Sequence, residues 1–301
     1  MTDAKVPGFE ERFAEVRACR LRYFLGGREG APPVVLVHGL GGCAGNWVDV
    51  APSLAERYRV LVPELPGHGL SRALPAVPNL AVFADRLAVV AEREGMLPAT
   101  FVGHSLGGVV AVRLALRRPD AVSALVLAAT AGISSATRRA KYGLRILGII
   151  GPRRLVAPWA GSVAGSPLLR QAVFGHWGAA DPLILSPAAV DGFLEGTRLT
   201  SDSVSAARAL VRDDIRAELG ELRCPVVVLW GARDNQLPLA DGFEFARRLG
   251  APLRVIADCG HLLIGERPDL CVEAIESFVG RGVGCDRCAA EDRDERRSFG
   301  A

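Results

Sequence analysis

Lysine is nearly missing from this chain of 301 residues: Lys5 and Lys141 are its two lysines, and arginine carries the rest of the positive charge. Basic and acidic residues almost balance, leaving a formal net charge of +3. That excludes the strongly basic footprint expected of a nucleic-acid binder. No stretch approaches the roughly 20 uninterrupted apolar residues that a membrane span needs. Met1 to Gly8 has no apolar run behind Lys5, so no secretory leader is expected and a cytoplasmic protein is the default. The seven cysteines (19, 43, 224, 259, 271, 285, 288) are odd in number and scattered, which argues against a disulfide framework. Cys285-Asp-Arg-Cys288 is a lone CxxC with no nearby histidine. Zinc asks for about four ligands, so neither a metal nor any other cofactor is expected.

What the chain does have is apolar residue, half of the total, enough to bury a large core. Short β-branched runs alternate with longer helix-patterned segments, the pattern of βα units on a parallel sheet. Val16–Leu25, Val34–Val37, Val60–Val62, Thr100–Val102, Ala124–Ala129, Val226–Trp230 and Leu253–Ile256 read as strands. Asn46–Tyr58, Leu80–Glu94, Leu106–Arg117, Leu239–Leu249 and Pro268–Phe278 read as helices. Nearly a hundred residues separate the strand ending at Ala129 from the one starting at Val226. A structureless loop of that length is improbable in a compact domain, so an inserted helical subdomain is expected there. Residues 281–301, charged and poor in apolar side chains, are expected to form a disordered tail.

The strongest local signal is Gly103-His104-Ser105-Leu106-Gly107, set between a strand and a helix. In G-x-S-x-G a tight strand-to-helix turn pushes the serine oxygen out of the sheet edge, and the glycines admit backbone where a Cβ would clash. The amide of Leu106, first in the helix, can receive an oxyanion. A serine hydroxyl needs a base, and the base needs an acid to orient it. Asp234 follows one late strand and His261 the next, giving the chain order Ser, Asp, His. Each has a bland alternative: a turn serine, a helix N-cap aspartate, a surface loop histidine. Asp258 is nearer His261 in sequence, but three residues is too short a span to orient the ring. His38, His68 and His104 read as structural or lining residues, and Cys43 and Cys259 as small buried fillers.

Four further motifs accompany the elbow: His38-Gly39-Leu40-Gly41-Gly42 with Trp47, Leu65-Pro66-Gly67-His68-Gly69-Leu70-Ser71, Trp230-Gly231-Ala232-Arg233-Asp234, and Gly260-His261 with Glu266-Arg267-Pro268. With them the chain resembles the α/β-hydrolase fold family, as an esterase- or lipase-like serine hydrolase with a helical cap, over residues 15–280. The resemblance implies an α/β fold: a mostly parallel sheet flanked by helices, with the cap inserted after the sixth strand. Residues 1–133 and 221–280 would be the core and 134–220 the cap. It also implies that the Leu40 amide joins that of Leu106 in an oxyanion hole. Glu64 departs from the pattern, since relatives usually carry aspartate there. Serine at 105 separates the chain from relatives that open haloalkanes or epoxides with aspartate. Leu262 separates it from carbon–carbon bond hydrolases, which tend to carry tryptophan after the histidine.

The expected activity is therefore hydrolysis of a small-molecule carboxylic ester through an acyl-enzyme. Acyl transfer or thioester hydrolysis by the same residues is the alternative, and a non-catalytic ligand receptor the outlying one. Candidate pocket residues are His38, Gly39, His104, Trp159, Phe174, Trp177, Phe193 and Leu262. Between Ser134 and Ala180 lie seven basic residues (Arg138, Arg139, Lys141, Arg145, Arg153, Arg154, Arg170) and no acid. Such a segment can be a solvated helix face, can meet an anionic membrane peripherally, or can greet an acidic substrate.

Overall fold

Four successive apolar residues, Val34 to Val37, are fully buried side by side, which requires cover on both faces of the strand that carries them. In the computed structural model, which describes residues 5–77, 79–136, 156–175 and 178–280, that strand lies near the middle of an eight-stranded sheet. The chain order is β1 (Glu10–Val16), β2 (Cys19–Gly27), β3 (Pro33–Val37), a 3-10 turn (Ala44–Trp47), α1 (Ala51–Ala55) and β4 (Arg59–Pro63). Then come α2 (Ala81–Arg93), β5 (Ala99–His104), α3 (Leu106–Arg117) and β6 (Val122–Ala128). The long interval holds α4 (Ala160–Gly165), α5 (Pro167–Phe174), α6 (Pro187–Leu199) and α7 (Ser203–Leu210). The chain closes with β7 (Val226–Gly231), α8 (Leu239–Leu249), β8 (Leu253–Ile256), α9 (Leu263–Glu266) and α10 (Pro268–Val279).

The spatial order is β1-β2-β4-β3-β5-β6-β7-β8. β2 pairs antiparallel with both β1 and β4, and all later neighbours are parallel. Helix α1 packs on α10, and α2 on α3, so the parallel strands are enclosed. In such a sheet the loops that follow the strands gather at one rim, where ligands of open α/β folds bind. Ser105, Leu40, Asp234 and His261 all lie in those loops.

Two local readings differ from the sequence expectation. The N-terminal strand is a hairpin, β1 with β2, turned through Arg17 and Ala18 at φ 48° and 59°. The helix expected over 46–58 is broken into the 3-10 turn and the short α1, because Val48 to Val50 turn the chain between them. The interval between β6 and β7 contains no strand among its described residues and at least four helices. The tail from 281, its CxxC, and all the basic residues between 138 and 154 lie outside the described residues. No described helix is long and apolar enough to cross a membrane.

Candidate active site

The turn between β5 and α3 is held open by its neighbours. Ser105 sits at φ 53°, ψ −116°, a conformation unfavourable for a residue with a Cβ. Its amide donates to the Ala128 carbonyl at 3.0 Å, and its carbonyl accepts from Gly108 and Ala131. The glycines are steric requirements: a Cβ on Gly107 would lie 2.3 Å from the Val37 carbonyl oxygen, and one on Gly103 2.5 Å from the Gly108 backbone. Ser105 is half-buried among fully buried neighbours, so the serine alone of this turn keeps some access to solvent. Leu106 begins α3, and its amide has no intrahelical acceptor.

Asp234 and His261 meet across the ends of β7 and β8. His261 Nδ1 and Asp234 Oδ2 are 2.8 Å apart, and both side chains are almost wholly enclosed. The other carboxylate oxygen of Asp234 accepts the amides of Gln236 and Leu237, each at 2.8 Å. This aspartate therefore has a fixed orientation, with one oxygen bound to its own turn and the other to the histidine. Asp258 does not compete: it is exposed and pairs with Arg233 at 3.0 Å. His104, one residue before the serine, stacks its ring 5.0 Å from that of His261 and donates from Nε2 to the His261 carbonyl at 2.8 Å. That contact ties the serine turn to the histidine loop.

The loop after β3 lies against the same turn. Gly39 is so close that a Cβ there would stand 3.2 Å from the Ser105 Cβ and 3.1 Å from His104 Nδ1. Beyond half-buried Leu40 three consecutive amides are occupied: Gly42 donates to Gly39, Cys43 to Asn46 Oδ1, and Ala44 to Glu64 Oε1. Glu64 is fully buried, its second oxygen accepts the Leu70 amide at 2.7 Å, and Arg22 lies 3.5 Å away. Burial pushes the Glu64 carboxyl up to about 7 against the pull of Arg22 and the two amides. His38 is also enclosed, with Nδ1 donating to Gly39 and Nε2 accepting from Leu65. Its ring therefore acts on the loop backbone, not on a pocket. Burial presses His38 down to about 3 and His68 to about 4, so both stay neutral. Burial raises the thiols of Cys43 and Cys259 far above the ordinary range, so neither is a thiolate.

The other expected pocket residues divide. Phe174, Phe193 and Leu262 are buried, and the two phenylalanine rings meet edge-on at 6.4 Å. Trp159 is 62% exposed and faces solvent, whereas Trp177 lies outside the described residues. A half-open cavity of about 490 Å³ between the N-terminal segment, Gly45 and α6 includes none of the candidate site residues. Among the described residues no three His, Cys, Asp or Glu side chains gather to hold a metal ion.

Glu266 matters more than its place in a motif suggested. One oxygen accepts the Gly260 amide, and the other accepts those of Ala180 and Asp181. Gly178 receives the His261 and Leu262 amides at 2.5 and 3.2 Å, so the histidine loop is pinned to the 178–181 strap. The signal for Glu266 in the sequence is its place in the Glu266-Arg267-Pro268 motif behind His261, which says nothing of these contacts.

A sequence profile described as the Alpha/beta hydrolase family matches residues 34–274. The chain belongs to this family. Among its relatives, a pimeloyl-[acyl-carrier protein] methyl ester esterase of Aromatoleum aromaticum is 31% identical over 82% of this chain and 98% of its own length. A dihydrolipoyllysine-residue acetyltransferase component of the acetoin cleaving system of Pseudomonas putida is 30% identical, covering 88% of this chain and 68% of its own. The match to the corresponding protein of Cupriavidus necator spans 64% of that protein, so the chain accounts for about two thirds of these acetyltransferase components. The crystal structure of the enol-lactonase from Burkholderia xenovorans superposes with a TM-score of 0.71 at 25% identity, over 89% of this chain and all of the other. As an α/β-hydrolase family member the chain is an enzyme of the hydrolase class, with esterases among its relatives.

Proposed function

We propose that this α/β-hydrolase cleaves a carboxylic ester by two-step acyl transfer on Ser105. His261 takes the hydroxyl proton as Ser105 attacks the carbonyl, and Asp234 holds the imidazole in the tautomer that leaves Nε2 free to accept. The amides of Leu40 and Leu106 receive the oxyanion, where loss of one donor typically costs about 10²–10³ in rate. His261 then protonates the leaving alcohol and draws a proton from water for deacylation. The observation that carries the reading is the 2.8 Å contact between His261 Nδ1 and a carboxylate whose other oxygen is already bound to its own turn. The test is intact mass after a fluorophosphonate, on wild type and Ser105→Ala. One adduct on wild type and none on the variant is the expected result; an unmodified wild type refutes the assignment.

For the substrate, the reading is an apolar acyl chain of medium or greater length, admitted by a cap formed from residues 134–220. Its support is the buried pair Phe174 and Phe193 on α5 and α6, with the Phe193 ring packed on Gly265 of α9, in the helix that directly follows the proposed base. Aryl esters of rising acyl length test it: activity confined to acetate and falling at butyrate would sink the idea. A second reading, transfer of the acyl group to an acceptor other than water, is favoured by the relative named as an acetyltransferase component. Partition of product between acid and new ester or thioester, on adding alcohol or thiol acceptors, separates the two.

A further inference from the structure

Helix α6 touches the loop after β3 backbone to backbone. A Cβ on Gly192 would lie 2.2 Å from the Gly45 carbonyl oxygen, and one on Gly196 2.8 Å from the Gly42 carbonyl carbon. Neither distance is compatible with a side chain, so this face of the helix is glycine because the loop occupies the space of the Cβ. Hydrogen bonds cross the same seam. Buried Asn46 accepts the Cys43 amide on Oδ1 at 3.1 Å and donates from Nδ2 to the Gly192 carbonyl at 3.2 Å. The Cys43 thiol donates to that carbonyl as well, at 3.5 Å. One side-chain amide thus spans the loop that begins with His38-Gly39-Leu40 and a helix that enters from the interval between β6 and β7.

We infer that Asn46 is a positioning residue: it fixes the Leu40 loop against Ser105 by fastening that loop to α6. The inference rests on the reading of Leu40 as an oxyanion donor. The loop has no strand of its own to hold it, since β3 ends at Val37, and its Gly41 is at φ 70°. Its geometry is set from two sides, by Glu64 on the Ala44 amide and by Asn46 on the Cys43 amide. Of these two side chains, Asn46 is the one that also bonds the helix, at the Gly192 carbonyl. Seating α6 therefore sets the height of the Leu40 amide over the serine, and a shift of about 1 Å at such a group can cost 10²-fold.

The experiment compares Asn46→Ala, Asn46→Asp and Gly192→Ala with wild type on a soluble aryl ester. Rates are expressed per site titrated by fluorophosphonate, so that unfolded chains do not count. Asn46→Asp keeps the acceptor for Cys43 and loses the donor to Gly192. The expected result is a fall in kcat of about ten- to hundredfold in all three, with KM within about twofold. The pH midpoint of kcat/KM should stay where wild type has it, because His261 is untouched. Asn46→Asp at the wild-type rate overturns the coupling to α6, and unchanged kcat in Asn46→Ala overturns the positioning role. Wild type itself supplies an independent reading that no folding failure can spoil. An alkylboronic acid, which forms a tetrahedral adduct on an activated serine, should slow amide hydrogen exchange in peptides covering both 38–46 and 187–199. Slowing confined to 38–46 overturns the inference. A wild type that takes neither fluorophosphonate nor boronate refutes the hydrolase assignment at Ser105, and the inference falls with it. Labelled wild type with intact variants refutes the inference alone.

Discussion

Replacing Asp234 with asparagine swaps one oxygen for an NH₂ group at nearly constant volume, and the surroundings decide which way the amide turns. The oxygen that accepts Gln236 and Leu237 at 2.8 Å faces two N–H donors, so an NH₂ there would leave both unpaired. That arrangement forfeits two hydrogen bonds, one exposed and one partly buried, each worth roughly 1 kcal/mol net. The asparagine is therefore forced to keep its oxygen on the turn and point its NH₂ at His261 Nδ1, 2.8 Å away in the native pair. Nδ1 must then become the acceptor, which moves the ring proton to Nε2 and removes the only site that could take a proton from Ser105. A histidine held in the wrong tautomer lowers kcat by about 10⁴ in the well-studied serine-protease case, or about 5.5 kcal/mol of barrier. The expectation for Asp234→Asn is a loss of that order, with Tm within a few degrees of wild type and KM little changed. Steady-state hydrolysis of an aryl ester, alongside the rate of fluorophosphonate labelling, reads both steps. Retention of more than a tenth of wild-type kcat would refute the tautomer argument. Asp258→Asn, at an exposed surface pair, should leave the rate unchanged.

Other expectations follow from the same geometry. Glu64 carries a carboxyl raised toward 7 from an ordinary 4.5, so the unfolded chain gives up its proton first as pH rises. Stability should fall from about pH 4.5 to 7 by up to about 3 kcal/mol and then level; Glu64→Gln should flatten that slope in Tm even while lowering Tm itself. His68 has the opposite sign, because its folded value is depressed to about 4 and stability is lost as pH falls below 6.5. His68→Asn, able to keep the bond to Pro66, should weaken the acid-side loss in Tm, and an unchanged slope would refute the assignment. Gly107→Ala drives a methyl into the β3 backbone and should destabilise by about 1–3 kcal/mol or more, seen as a lowered denaturation midpoint. Trp159→Ala, at a solvent-facing side chain, should leave that midpoint within about 0.5 kcal/mol.

The inner parallel strands are legible because burial on both faces makes them continuous apolar runs, as in Val34–Val37 and Val226–Trp230. β1 escaped notice for the same physical reason in reverse. It is an edge strand, its sequence Glu-Glu-Arg-Phe-Ala-Glu-Val is mostly exposed, and its turn uses Arg17 and Ala18 in place of Asn-Gly. At the site, the pairing of Asp234 with His261 could be anticipated, since each follows a strand and the strands are neighbours. The contacts of Asn46 with Gly192 and of Glu266 with Ala180 could not. They join positions 146 and 86 residues apart, and neither separation follows from a repeat or a strand pairing that the sequence displays.

The backbone at Ser105 is a place where the fold would choose a different residue from the one the chemistry wants. A dihedral pair of 53° and −116° suits glycine, and holding it with any other residue costs on the order of 1–3 kcal/mol. On the proposed mechanism the elbow therefore sets a standing pressure against its own nucleophile. Random drift toward a more stable chain would replace this serine, and Ser105→Gly should melt higher than wild type while turning over no ester. On that mechanism the catalytic use of this serine comes at the expense of how firmly the chain folds.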